Sequence, residues 1–464
     1  MAEMQNHLFL KACLISLGLM LTGAIAAQTR LEISLSEKNS AGVGLFMQND
    51  PLNKEWVFVR DLQVDQAGKA SSEISSGYSG PIQIRTSLNR YTAYITSGKT
   101  NRWQLIPADS MASRSYFEQP EGTVKIDDGA SENLDYRTID LWLDTFSRYN
   151  YRLFVQPKSL RPALLRFDSL HLRTTTYAGF TEAGKSYYRY QLANLYASSA
   201  SKSLEIFDKY LSGKVYPSNP HYLSFVTYFF RGYLYALMSK PKNEVIEKDI
   251  NQKASLKDLL ANIHRASPQL QNDTLIQLIL LNEMRSWYSG KQNNPLAVLS
   301  IINQIKQQAL HPLIAEYASN LDASLRRFQE GAPIRLEDYP GSNGTRLSLM
   351  SKRTVPVLLV FYIATSKEFL RELPLFEKVL GFHSKEMEIR FISLDNGSLP
   401  LPSWVLPEWN IHAGYHHGMM DALGVRSVPF ALFVGPNQKL IAYDAPMPSK
   451  GLNDWLSKYF KKMR

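Results

Sequence analysis

Cysteine is almost missing from this chain: its 464 residues include one, Cys13. That residue precedes the apolar stretch Leu14 to Ala27, so a chain cut after Ala27 holds no thiol. It then has no disulfide, no thiolate nucleophile and no cysteine-ligated metal. A core of this size needs no disulfide, even in an oxidising compartment. Also missing are a phosphate-binding glycine loop, a G-x-S-x-G elbow and an H-E-x-x-H pair. Long apolar runs are lacking too. Leu14 to Ala27 is shorter than the ~20 residues of a membrane span, and the aromatic-rich segment Tyr222 to Met238 carries Arg231 near its centre.

The first 27 residues read as a cleaved signal peptide, with Lys11 ahead of the apolar stretch and Ala24-Ile-Ala-Ala27 as the cleavage pattern. A retained anchor is the weaker reading. Lipidation of Cys13 is not expected, because Lys11 occupies a position that needs an apolar residue and the apolar region follows the cysteine. The expected location is periplasmic or secreted. The formal net charge is +10, and removing residues 1–27 takes away one Lys (Lys11) and one Glu (Glu3), which leaves it unchanged. The basic residues are scattered, apart from the run Lys458 to Arg464. They read as a solvated face, with contact to an anionic membrane surface or an acidic partner as the alternative. Nucleic acid is not an expected partner.

Length and periodicity divide the chain into parts. Residues 28–107 carry short alternating runs, among them Leu31 to Leu35, Val43 to Phe46, Trp56 to Val59, Ile82 to Ile84 and Tyr91 to Ile95. Turns fall at Asp65-Gln-Ala-Gly68 and Gly77-Tyr-Ser-Gly80. Strands at roughly 8–12-residue spacing predict a β-sandwich. Residues 108–329 change to helical spacing, with Gly, Pro and Asn between segments, and predict a helical bundle without a fixed repeat. The aromatic segment Tyr222 to Met238 reads as a helix buried nearly all round, with a binding groove as the second reading. Residues 330–464 alternate buried strands with helices, in the order β-α-β-α-β-β-α, which implies an α/β fold with parallel pairing. The whole is a multidomain α+β protein.

The informative stretch is Thr354 to Pro374. Val357 to Ile363 is apolar and too short for a helix, as a strand buried on both faces reads. Thr365-Ser366-Lys367-Glu368 then has the T-x-x-E form of a capping box, with Pro374 inside the helix that follows. This stretch resembles the thioredoxin fold, in particular the extracytoplasmic branch that assists cytochrome maturation and its relatives in Bacteroidota. Their pattern, V-L-L-x-F-W-A-x-W-C-x-x-C-x-x-E-x-P, lies without a gap on Val357-Leu-Leu-Val-Phe361-Tyr362 and Arg371-Glu-Leu-Pro374. Its two cysteines fall on Ser366 and Phe369. Gly331-Ala-Pro333 resembles that branch's entry segment. Val428-Pro429 matches the family's cis-proline loop, whose preceding residue offers its backbone N–H and C=O to an extended peptide.

The resemblance implies a thiol–disulfide oxidoreductase, and the residues argue against one. Ser366 would need a neighbouring general base to form an alkoxide, for which a histidine of the 412–417 segment is only a minor reading, and Phe369 cannot resolve a mixed disulfide. Ser366 is therefore expected as a first-turn helix residue. The expected function is a non-catalytic, redox-inactive binding or scaffold protein of the cell envelope, not an enzyme and without a cofactor. Its candidate groove is formed by Ser366, Lys367, Phe369, Val428 and Pro429, and its partner is a protein or peptide. The first alternative is a residual or partner-dependent redox role. The second is a metal-binding module through His412, His416 and His417, where H-x3-H on a helix, with Asp421, would supply ligands. No metal is expected. Gly414 and Gly418 make that segment a poor helix, and ordinary loop histidines are the leading reading.

Overall fold

The computed structural model describes residues 29–36, 42–52, 55–74, 78–108, 119–126, 131–155, 157–199, 204–240, 243–290, 293–336, 339–340, 346–350, 354–395, 401–414 and 416–463. The proposed signal peptide with Cys13, the pairs Asp127-Asp128 and Glu337-Asp338, and Gly77 lie outside them. The chain forms two compact units. One comprises residues up to Met47 together with Asp61–Asn133, and the other Gln48–Arg60 with Leu134–Arg464.

The β-rich part comprises β1 (Thr29–Leu35), β2 (Val43–Asp50), β3 (Glu55–Leu62), β4 (Lys69–Ile74), β5 (Gly80–Arg85), β6 (Arg90–Ile95), β7 (Thr100–Ile106) and β8 (Thr123–Ile126); the end of β2 and β3 up to Arg60 count with the second unit, the rest with the first. The strands make two four-stranded sheets, ordered β4-β1-β7-β8 and β3-β2-β5-β6. Burial alternates along β4 and β7, as in sheets with one covered face. β4 and β7 escape the hydrophobic pattern because their inward positions include Ser72 and Asn101, which are polar and buried. β8 pairs with β7, so the β-rich part runs past the expected boundary at residue 107. The expected turn at Asp65–Gly68 is present. Asp65 Oδ1 accepts from the N–H groups of Ala67 at 2.9 Å and Lys69 at 2.8 Å.

The helical part consists of α1 (Ser131–Tyr149), α2 (Pro157–His171), α3 (Thr175–Ala178), α4 (Glu182–Ser199), α5 (Leu204–Tyr210), α6 (Pro220–Phe229), α7 (Tyr233–Met238), α8 (Glu244–Lys248), α9 (Leu256–Ala266), α10 (Asp273–Ser289), α11 (Pro295–Gln308) and α12 (Pro312–Arg326). α6, α11 and α12 each begin with a capping side chain followed by proline: Asn219-Pro220, Asn294-Pro295 and His311-Pro312. The cap accepts free N–H groups of the first turn, and proline needs no acceptor there. α2 contains Pro162, which hid it from the periodicity. The segment Tyr222 to Met238 is two helices, not one. Gly232 takes φ 69 between α6 and α7, and its N–H bonds Glu283 Oε1 at 2.9 Å. Tyr222, Phe225, Phe229 and Phe230 are core residues, in keeping with the buried reading.

The C-terminal part opens with the short pair β9 (Tyr339–Pro340) and β10 (Arg346–Leu347), then β11 (Val357–Tyr362), α13 (Lys367–His383), β12 (Glu388–Ser393), β13 (Asn410–His412), α14 (His417–Ala422), β14 (Phe430–Val434), β15 (Leu440–Tyr443) and α15 (Leu452–Met463). One five-stranded sheet has the order β13-β12-β11-β14-β15. β11, β12 and β13 run parallel, while β14 is antiparallel to β11 and β15 to β14. β11 and β12 are buried along their whole length, as the solid apolar run implied. β12 keeps two charges inside by pairing them, Arg390 Nη2 to Glu388 Oε2 at 3.5 Å. α13 and α15 cover one face through Phe369, Phe376, Leu452 and Leu456.

This sheet is joined to the helices by the segment that follows α12. Phe328 stacks on Tyr443 with centroids 4.7 Å apart, and the Tyr443 hydroxyl donates to Gly424 O at 2.6 Å. Gly424 has φ +68, and a Cβ there would come within 2.5 Å of the Phe328 ring. Gly424→Ala should therefore lower stability by about 1–3 kcal/mol, read as an earlier urea midpoint; an unchanged midpoint contradicts the contact.

A second consequence concerns pH. His221 lies with its ring edge-on to Tyr136 and Tyr187, at centroid distances of 5.4 and 4.9 Å, and burial pushes its pKa down to about 4. A depressed histidine pKa means that the fold holds the neutral ring. Its contribution is complete above the ordinary value of about 6.5 and is lost as pH falls toward 4. Between those values His221→Gln should flatten the dependence of the unfolding midpoint on pH, and an equal slope in both proteins contradicts this.

Candidate functional site

The region of interest starts where β11 ends. Ala364 N–H donates to Asp395 Oδ2 at 3.0 Å, and Ser393 Oγ donates to Asp395 Oδ1 at 2.8 Å. One carboxylate at the end of β12 thus braces the loop leaving β11. Ser366 N–H then bonds Ile363 O at 2.9 Å, which closes a turn, and α13 begins at Lys367.

Ser366 is the N-cap of α13, not a first-turn residue. Its Oγ accepts the Phe369 N–H at 3.3 Å, and its φ and ψ of −70° and 110° are extended. The expected capping box led by Thr365 is displaced by one residue. The reason is local: Thr365 is still in the turn, and Ser366 is the first residue whose hydroxyl can reach the N–H three positions on. Glu368 then falls at the second helical position, where a carboxylate suits the positive end of the helix.

Phe369 departs further from expectation. It is 0% exposed, stacked on Tyr362 at 4.1 Å and 16°, with Phe391 edge-on at 6.0 Å. A ring so placed is part of the core and contributes nothing to a surface groove. Burial raises the Tyr362 pKa to about 12, so its hydroxyl stays protonated and donates to Asn410 Oδ1 at 3.1 Å. The solvent-facing residues at this helix start are Thr365, Lys367, Glu368 and Leu370.

The loop ahead of β14 completes the region. The Val428–Pro429 peptide bond is cis. Phe430 is the register partner of Phe361, so Pro429 and Ser366 lie at the same end of the sheet. Val428 and Pro429 are half-buried. The Val428 N–H and C=O have no hydrogen-bond partner among the described residues. Ser366 and the 428–429 loop thus lie toward one end of the sheet, and Lys367, next to Ser366, is exposed.

Ionic contacts hold the start of that loop. Arg327 Nη2 donates to Asp421 O at 2.7 Å and Asp421 Oδ2 at 3.3 Å. Arg426 Nη2 stands 3.6 Å from Asp421 Oδ1 and 3.9 Å from Glu55 Oε1. Glu55 Oε2 also accepts from Ser324 Oγ at 3.0 Å and Arg285 Nη2 at 3.4 Å. Phe58 fills the space a Cβ on Gly418 would need, at 2.8 Å. Sequence reading missed Asp395, Glu55 and Arg426. Only Asp395 carried a signal, a polar Ser-x-Asp immediately after a buried strand.

The histidines do not form a ligand set. His412 is on the edge strand β13, His416 caps α14 by accepting Met419 N–H on Nδ1 at 3.0 Å, and His417 is buried. The imagined H-x3-H helix is absent because Gly414, at φ 64, turns the chain between strand and helix. Among the described residues no group of three His, Cys, Asp or Glu side chains is placed to hold a metal ion.

No family model and no curated protein matches the chain. Solved structures do. A thioredoxin-like protein from Bacteroides caccae aligns with 59% of this chain and 94% of its own, at 12% identity and a TM-score of 0.29. The thioredoxin domain of a thiol-disulfide oxidoreductase from Bacteroides vulgatus aligns with 28% of this chain and 97% of its own, at 16% identity and a TM-score of 0.23. A thiol:disulfide interchange protein from a Bacteroides species aligns with 29% and 92%, at 19% identity and a TM-score of 0.24. The thioredoxin-like character of the C-terminal part stands on its strand order. Among the described residues no helix is long and apolar enough to cross a membrane.

If the Ser366 hydroxyl acts as a cap, Ser366→Ala should cost about 1 kcal/mol in a urea melt, and Ser366→Asp should retain most of the stability. Equal stability of wild type and Ser366→Ala contradicts the assignment.

Proposed function

We propose that this protein is a redox-inactive, thioredoxin-like binding protein of the bacterial cell envelope. Its C-terminal part holds an extended peptide segment of a protein partner beside Val428 and Pro429. The observation that carries this reading is the division of labour around α13. Ser366 Oγ is engaged by the Phe369 N–H, the Phe369 ring is engaged in the core, and Val428 leaves both backbone groups without a partner among the described residues. Strand addition uses such backbone groups for affinity, and nearby side chains for specificity. Thr365, Lys367 and Leu370 are exposed beside them.

The reading includes secretion through the 1–27 segment, which the apolar stretch and its alanine-rich end support. It includes no thiol chemistry, since Cys13 is the only cysteine in the chain and lies within that segment. A serine hydroxyl without a base is too weakly acidic to replace a thiolate. Contact with an anionic membrane surface is a secondary element, supported by the net charge of +10.

Reduction of insulin by dithiothreitol should proceed at the background rate in the presence of this protein, and a clear acceleration contradicts the redox-inactive reading. Pull-down from Bacteroidota envelope extracts should recover partners with the wild type that are lost with Val428→Arg. Identical recovery removes the 428–429 loop from the function.

A further inference from the structure

The helical part contains a cavity of about 680 Å³ bordered by α2, α4, α5 and the segment from Tyr216 to Asn219. Its volume falls in the range of small-molecule sites. Tyrosines dominate the lining: Tyr188, Tyr190 and Tyr210 are buried residues, while Tyr216 is exposed. The aromatic segment that attracted attention in the sequence, Tyr222 to Met238, contributes no lining residue.

The charges around this cavity are unevenly matched. Lys185 Nζ pairs with Glu182 Oε1 at 2.9 Å, and Lys209 Nζ lies 3.8 Å from Asp168 Oδ2. Both lining carboxylates are therefore answered by a lysine. Arg189 is left without a carboxylate among the described residues; its one hydrogen bond there is long, 3.5 Å to Lys209 O. Its guanidinium stands 5.8 Å from the ring centroids of both Tyr190 and Tyr210. The hydroxyls of these two tyrosines have no partner among the described residues, and burial raises the pKa of both, so they remain neutral donors.

We propose that this cavity binds a small organic acid whose carboxylate is attached to a six-membered ring, with the acid group on Arg189 and the ring against Tyr190 and Tyr210. Each part of the ligand answers a feature of the wall. A guanidinium fork matches a carboxylate in two parallel hydrogen bonds. Ring faces take a flat apolar or sugar body, and the hydroxyl donors suit its oxygens. Three lining cations against two carboxylates leave a single positive charge, which matches a monoanion and not a doubly charged phosphate. The ring can be aromatic or a pyranose, because the wall recognises what the two share.

The test is calorimetric titration of the full chain with 4-hydroxybenzoate and with galacturonate, against the neutral 4-hydroxybenzyl alcohol and galactose. One acid should bind at least tenfold more tightly than its neutral counterpart, and which acid does so identifies the ring. Arg189→Gln should weaken that acid tenfold or more without altering the melting temperature, and Arg189→Lys, which keeps charge but loses the fork, should weaken it less. Failure of both acids to bind, equal binding of acid and neutral probes, or unaltered binding by Arg189→Gln would overturn the proposal.

Discussion

β11 is hydrogen-bonded along both edges and covered on both faces, parallel to β12 on one side and antiparallel to β14 on the other. That double closure leaves only one place where the strand's course can become functional surface, its carboxyl end. There the chain leaves through Ala364, pinned by Asp395, and enters a helix capped by Ser366. The amino end of β14 lies alongside because Phe361 and Phe430 are register partners. The positions of Ser366 and the 428–429 loop follow from strand pairing, and neither depends on a direct bond between them.

The second constraint is the attachment of this sheet to the helices of the same unit. The Phe328–Tyr443 stack, the close approach of Phe328 to Gly424 and the Arg327–Asp421 pair all lie on the segment after α12 or on the loop it meets. Exposed ion pairs are individually weak, about 0–1 kcal/mol. Asp421 is mostly buried and is contacted by two arginines, so its contribution is of the kind that fixes geometry. The loop preceding Pro429 is thus held by these contacts, while the half-buried Val428 leaves its backbone N–H and C=O without a partner among the described residues. A binding loop carried on a rigid frame is a common arrangement for recognition.

Much of the C-terminal part was readable because its signals are strong ones. Val357 to Tyr362 is apolar throughout, and only a strand covered on both sides uses such a run. The helices that open at Pro220, Pro295 and Pro312 carry a local signal, a capping side chain next to a proline. What escaped were features that tertiary contacts decide. Thr365 and Ser366 are both capping residue types, Ser the better, and the turn closed by Ile363 O places the second at the helix start. Phe369 read as a groove residue because the resembled pattern places a cysteine of the reactive pair there; the large ring turns inward to meet Tyr362. Asn101 and Ser72 broke the alternation of strands that nonetheless formed. The Glu55–Arg426 contact joins residues far apart in sequence and left no local trace.

The central claim is that Ser366 occupies the helix N-cap position, at which a thiolate would be stabilised. In a Cys13→Ser background, the pH dependence of alkylation of Ser366→Cys reports this directly. The helix N-terminus should bring that thiol well below the ordinary value of about 8.5, by about one unit or more. A thiol titrating at or above 8.5 would contradict the account.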